Sequence, residues 1–297
     1  MKRNTPTNHV PLARPRRRWF RYSLRTLLVV MTLTAVGLGI AVSRAKRQRR
    51  AVAAIRAAGG TVQYDYEAGA LGEAARPVDG ALPGPDWLCR LVGVDYFADV
   101  ASVDVRFNAA TDATVSHLSG LTSLQRLELE GTQVSDAGLA HLSGLTNLQL
   151  LGLYFTQVSD AGLAHLSGLK SLEWLGLEGT QVSDAGLAHL SGLTKLQSLT
   201  LDHTQVSDAG LVHLSGMTSL QRLDLSETQV SDAGMAHLSG LTSLGELDLS
   251  RTQVSDAGLA HLSGLTRLQL LNLTGTQVSD AGCERLQEAL PNCEIHE

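Results

Sequence analysis

The chain has 297 residues, enough for one large domain or two small ones, and its 4% aromatic content leaves aliphatic side chains to build any core. The formal net charge of −5 is unevenly spread: residues 1–50 carry 13 Lys and Arg and no acid, and the remainder carries 11 against 29 Asp and Glu. So acidic a body excludes a nucleic-acid partner, which needs Lys and Arg against phosphates, while the basic head suits an anionic surface.

The head, residues 1–25, reads as a basic cytoplasmic tail. Residues 26–43 (TLLVVMTLTAVGLGIAVS) come next without a charge. As a helix they span roughly 27 Å, which matches the hydrocarbon core of a bilayer. Trp19, Phe20 and Tyr22 stand just before the run, where an interfacial aromatic belt would lie. A retained anchor is the favoured reading; a cleaved secretory signal stays open, although the n-region is long and no clear A-x-A site follows Val42. Eight basic residues precede the span and six follow it, a lean toward a cytoplasmic N-terminus with the rest outside the cytoplasmic (inner) membrane. Arg17 and Arg18 before Trp19 and Phe20 also fit a short twin-arginine match.

Residues 44–99 read as a juxtamembrane helix, a linker and a cap. An Ala/Arg-rich helix should run to about Ala58, where Gly59 and Gly60 break it, and the Val62, Tyr64 and Tyr66 alternation predicts a strand. A loose Gly/Ala/Pro segment continues to Pro85, before a short helix with Trp87, Leu88 and Leu91. Trp87 is expected to cover the open face of the first repeat, which begins at Val100.

Residues 100–282 repeat with a period of 24. Copies start at Leu124, Leu148, Leu172, Leu196, Leu220, Leu244 and Leu268, and a weaker one at Val100 keeps the register. Within a copy Leu127 and Leu129 alternate around Glu128, which predicts a short strand with both leucines on one side. Ser135 is a good N-cap and Asp136 suits the positive end of a short helix. Leu139, Leu142 and Leu145 line one face, and Gly144 is placed to end the helix in the left-handed conformation. Seven apolar residues per copy cannot be hidden by one copy alone, so the copies must stack without interruption. Thr132 and its equivalents are expected to form a hydroxyl ladder bonding backbone where the strand bends away.

Residues 283–297 read as a C-terminal cap: Cys283 replaces a core Leu, Pro291 ends a more polar helix, and Ile295 adds a last strand residue. Cys89, Cys283 and Cys293 show no metal spacing. They read as small buried hydrophobes, with a Cys283–Cys293 bond open in an oxidising compartment.

The pattern LxxLxLxx(N/T)xV, repeated seven times without an insertion, is the leucine-rich-repeat signature. Together with the leader FRYSLRTLLVVMTLTAVG and the terminus LPNCEI, it resembles a large bacterial family of membrane-anchored leucine-rich-repeat proteins. The resemblance covers nearly the whole chain. It implies an α/β leucine-rich-repeat solenoid, with a curved parallel sheet on the concave face and short helices on the convex face, behind a single N-terminal transmembrane helix. It implies protein interaction and brings no catalytic residues. The repeats are also similar to those of F-box-type proteins, but a membrane span stands where an F-box would precede them.

The exposed strand positions vary while the framework is copied, so they are the candidate ligand face. Leu150, Tyr154, Phe155 and Trp174 should form one apolar patch, with Gly152 and Gly176 leaving room for a partner. Glu128, Glu130, Glu178, Asp202, Asp224 and Asp248 should ring it with negative charge, with Arg222 among them. The alternative is drift, or Phe155 turned inward beneath the threonines.

Catalysis is not expected. Ser135, Asp136 and His141 have the residue types of a triad, but Asp136 and His141 diverge by about 140° on one helix. The column from His117 to His261 lacks the Cys or acid that would complete a tetrahedral set, so neither metal nor cofactor is expected. Asp65, Glu67, Asp86, Asp95 and Tyr96 show no recognised motif. The expected function is a membrane-tethered scaffold capturing an unidentified protein or peptide. The alternative is a self-associating structural or adhesive spacer of the envelope.

Overall fold

The computed structural model describes residues 24–67, 83–84 and 86–297. The tail up to Ser23, with Trp19, Phe20 and Tyr22, and most of the Gly/Ala/Pro segment lie outside the described residues. Two compact units are found, Met1–Val42 and Ser43–Glu297.

In the first unit, residues from Leu24 onward belong to helix α1 (Leu24–Ala57). No Gly or Pro interrupts Ser43–Ala57, and the helix ends at Ala57, just before Gly59 and Gly60. Its apolar window has a mean hydropathy of 2.1 and none of that window is buried against protein, so the helix is long and apolar enough to cross a membrane. Thr32 and Thr34 donate their hydroxyls to the Leu28 and Met31 carbonyls, which satisfies them without water.

In the second unit, ten strands among the described residues form one sheet in chain order. They are β1 (Thr61–Tyr64), β2 (Val100–Asp104), β3 (Arg126–Glu128), β4 (Leu150–Gly152) and β5 (Trp174–Gly176), then β6 (Ser198–Thr200), β7 (Arg222–Asp224), β8 (Glu246–Asp248), β9 (Leu270–Asn272) and β10 (Glu294–His296). β1 pairs antiparallel with β2, and every later pair is parallel with a 24-residue offset, as in Leu127↔Leu151 and Leu151↔Leu175. A short helix begins at the Asp of each copy, at Asp136, Asp160 and onward. This is a leucine-rich-repeat solenoid. All seven apolar positions of the first full copy, Leu124 to Leu145, are fully buried and belong to one continuous core.

The SDAG motif joins one copy to the next. Asp136 Oδ1 accepts the Ser159 N–H at 2.8 Å and Oδ2 accepts the Ser159 hydroxyl at 2.6 Å. The same pairing runs from Asp112 to Ser135 and on to Asp256 and Ser279. The aspartate therefore does more than sit at a helix N-terminus. Ser135 still caps its helix, accepting from Ala137 N at 3.4 Å. The glycine of the motif leaves space for the preceding carboxylate: a Cβ at Gly138 would lie 2.5 Å from Asp112 Oδ1.

The threonines bond backbone as expected, but inside their own copies. Thr132 Oγ1 donates to the Leu129 carbonyl at 2.6 Å and Thr156 to Leu153 at 2.7 Å, so the bonds tighten each turn and do not link neighbours. Gly144 is not left-handed, because Ser143 and the Leu145 N–H to Leu142 bond close that turn in right-handed geometry. The left-handed position lies after the strand instead. Gly131, Gly179 and Gly275 hold it with φ of 65°, 63° and 74°, and Phe155, His203, Glu227 and Arg251 hold it in other copies with φ of 52–56°.

The N-terminal cap differs from expectation. Trp87, in helix α2 (Asp86–Val92), is 66% exposed and is not part of the buried core that closes this end. The end is closed by β1 and by Ala51, Val52 and Ile55 of α1, with Tyr64 buried beside them. Pairing of the whole β1 backbone hides the edge of β2 more completely than one indole could. A polar knot pins this cap: Asp95 accepts from Tyr64 Oη at 3.0 Å and Arg49 Nε at 3.1 Å, and Gln48 donates to the Ala98 carbonyl at 2.8 Å. At the other end the C-terminal helix is Asp280–Ala289, Leu290 caps it, and Cys283 and Cys293 are buried free thiols.

Candidate ligand-binding face

The strands place every third and fifth residue of a copy on the open side of the sheet. Of the candidate residues Phe155 and Arg222 are exposed, and Leu150, Tyr154, Trp174, Glu128, Glu130, Glu178, Asp202, Asp224 and Asp248 are half-buried. Phe155 does not turn inward; its left-handed backbone aims the ring across the face, over Gly179 of the next copy. Phe107 lies over Gly131 in the same way.

Leu150 and Trp174 are register partners on β4 and β5. The Tyr154 and Trp174 rings meet edge to face, with centroids 5.5 Å apart and an interplanar angle of 79°. The room expected at the glycines is taken by the chain itself. The Tyr154 ring lies over Gly176, where a Cβ would be 2.5 Å from Cζ, and the Glu128 carboxylate lies over Gly152. Neighbouring long side chains reach diagonally across strands about 4.8 Å apart and fill the gaps the glycines leave. What faces solvent is a packed aromatic platform. Thr200 Oγ1 donates to Tyr154 Oη at 3.3 Å and anchors its far end.

Around this platform the charge is one-sided. The exposed positions of the seven full copies carry eight carboxylates against three arginines. Arg222 pairs with Glu246 at 2.6 Å and Arg251 pairs with Glu227, so these cations are already engaged. Burial pushes the Glu128 carboxyl up. Asp202 is pushed up to about 7, first by burial and then by the Asp224 and Glu178 charges, with the His203 hydrogen bond opposing. Tyr154 is pushed up to about 12 by burial, with the Glu128, Glu178 and Asp202 charges adding to it, so platform and carboxylates share one electrostatic site. Asp224 and Asp248 are oriented by bonds from Ser226 and Ser250 N–H groups at 2.9 and 2.8 Å.

Thr200, His203, Glu227 and Arg251 complete this face. Patterning does not single them out, although they occupy the same columns as the residues that it does. Glu178, Asp202 and His203 offer ligand atoms within 4.8 Å of one another, the one group with metal-ligand spacing among the described residues. The His203 nitrogens already face Asp202 at 3.5 Å and Glu227 at 2.8 Å, so a metal would have to displace a contact.

The residue types of a triad do not assemble. The Ser159 hydroxyl donates to Asp136 of the preceding copy, and His141 is exposed. Asp65 and Asp95 are held in structural bonds of the cap.

Comparison with known proteins agrees with this architecture. A family described as "Leucine rich repeat" matches residues 194–254 and 218–278. A second family of the same description matches residues 120–143. Among solved structures, internalin C2 from Listeria monocytogenes is similar with 27% identity over 68% of this chain and 85% of that one, at a TM-score of 0.54. No curated protein matches the chain.

Proposed function

We propose, from the premise that this chain is a leucine-rich-repeat solenoid, that it is a membrane-tethered interaction scaffold whose protein or peptide ligand lies on the concave strand face. The observation that carries the reading is the contrast between a framework copied almost without change and strand columns that differ from copy to copy. In those columns an edge-to-face Tyr154–Trp174 pair sits amid carboxylates. Aromatic anchors inside a polar rim are how binding energy is concentrated in protein interfaces. The apolar window of α1 supplies the tether, and the eight basic residues before it, against six after it, favour a cytoplasmic N-terminus. The repeats then lie on the extracytoplasmic side of a single-pass inner-membrane protein.

Proximity labelling from the C-terminus in native cells, with Trp174→Ala and Phe155→Ala as the paired variant, tests this. Partners labelled by the wild type and lost from the variant are expected; an unchanged set removes the face from consideration. The second reading, a self-associating spacer, is favoured if the purified full chain grows in mass with concentration and captures no partner.

A further inference from the structure

We infer that the ligand of the concave face is a basic polypeptide segment, held with its Arg or Lys side chains against the Tyr154–Trp174 platform and the carboxylates Glu178, Asp202, Asp224 and Asp248. The inference rests on the proposed binding role and names the chemistry of the partner.

Three observations carry it. First, the face holds eight carboxylates against three arginines, and two of the three are already spent, Arg222 on Glu246 and Arg251 on Glu227. Glu178, Asp202 and Asp224 repel one another, and no cation of this chain stands among the main influences on Asp202 beyond its contact with His203. A cationic group from outside would relieve that repulsion, whereas an acidic one would add to it.

Second, the acids are not a bare cluster. They adjoin aromatic rings, and a guanidinium or ammonium group lying over a Trp or Tyr face is attracted by the ring as well as by the charge. The Glu128 carboxylate and the Trp174 ring both border Gly152, with Trp174 Cζ3 3.7 Å from where a Cβ would stand, so one side chain can meet ring and carboxylate at once. An Arg stem would also cover apolar surface offered by Leu150 and Phe155.

Third, the spacing favours a segment over a single cation. Asp224 and Asp248 are register partners on adjacent strands about 4.8 Å apart, and Glu178 and Asp202 hold equivalent positions just past β5 and β6, so a chain crossing the face meets a carboxylate on each of four successive copies, with one diagonal step from Asp202 to Asp224. Several basic residues within a short run can therefore be paired together.

The test uses the full chain in nanodiscs against an array of random 12-residue peptides. Three variants accompany it: Trp174→Ala; Asp202→Asn with Asp224→Asn, which removes repulsion and so keeps the fold; and Glu284→Gln with Glu288→Gln on the C-terminal helix. Peptides with three or more Arg or Lys are expected to bind the wild type and the helix variant alike. Their affinity should fall at least tenfold on the Asp202/Asp224 variant and on Trp174→Ala. Basic peptides bound equally by the Asp202/Asp224 variant would show a generic attraction to an acidic chain and overturn the inference. Loss of capture in EDTA would also overturn it, since the carboxylates would then be serving a metal ion. Trp174-dependent peptides that lack basic residues would sink this inference and leave the concave-face reading standing. No Trp174-dependent peptide at all would sink both.

Discussion

Asp136 and Ser159 belong to successive copies and are joined twice, carboxylate to backbone N–H at 2.8 Å and carboxylate to hydroxyl at 2.6 Å. Each short helix is thereby fastened to the next by one side chain. Because stacked copies are stable only through their shared interfaces, a bond that recurs at every interface contributes to the whole array. Asp136→Ala removes both bonds and leaves the Ser159 N–H to water. The expected loss is about 1–3 kcal/mol, as for hydrogen bonds to a charged group. Urea unfolding of the full chain reads it, and an unshifted midpoint would show the pairing to be incidental.

Gly162 supplies a prediction whose sign separates two arguments. It sits inside the helix Asp160–Leu163, where helix propensity alone says that Ala is better by about 1 kcal/mol. A Cβ there would run into Asp136 Oδ1 and come within 3.1 Å of Leu139 Cδ1. Asp136 cannot step aside without giving up Ser159. Gly162→Ala should therefore destabilise, by about 1–3 kcal/mol. In an Asp136→Ala background the penalty should shrink by at least half, and a double-mutant cycle measures that coupling. Additive effects would mean that the glycine is needed for something else.

Thr180 tests the in-copy bond. Its buried hydroxyl donates to the Leu177 carbonyl at 2.6 Å, and that carbonyl also accepts the Thr180 N–H at 3.2 Å. Thr180→Val keeps the shape and loses only the hydroxyl bond, so about 1 kcal/mol is expected. Thr180→Ser should retain the bond and lose only the packing of one methyl group. A valine variant as stable as the wild type would make the threonine a packing residue.

The features legible in the sequence are those that repeat within 24 residues. Leu127 and Leu129 alternate, Leu139, Leu142 and Leu145 share a face, and their burial follows from those local periods. The Asp136–Ser159 bond spans two copies and is invisible within any single copy, although the pair recurs at a 23-residue spacing throughout. Gly152 and Gly176 mislead for a related reason. Whether a glycine leaves an opening depends on the long side chains of the strand before it, here Glu128 and Tyr154, and their direction is not written in composition. Trp87 misleads because a large apolar residue near an open end invites the role of lid. The alternating Val62 and Tyr64 are the better signal, since they announce a strand able to pair with Val103 and Val100.

Asp202 makes stability depend on pH in a direction opposite to that of a paired carboxylate. Burial, then Asp224 and Glu178, push it up to about 7 in the folded chain, whereas an unfolded Asp titrates near 4. Between about pH 4 and 7 the folded state holds a proton that the unfolded state has released. Stability from this group therefore falls as the pH rises through that window and stays low above it. Asp202→Asn abolishes the titration and the repulsion together. It should raise stability at pH 8 by about 1 kcal/mol, after allowing for solvent screening of a half-exposed group, and change it little at pH 4. Comparing variant with wild type at each pH cancels the acid losses that Asp232 and Asp256 bring, their carboxyls being held down by Ser255 and Ser279. Thermal midpoints that shift equally at both pH values would show that Asp202 titrates alike in the folded and unfolded chain, and the repulsion from Asp224 and Glu178 would then be weaker than their placement implies.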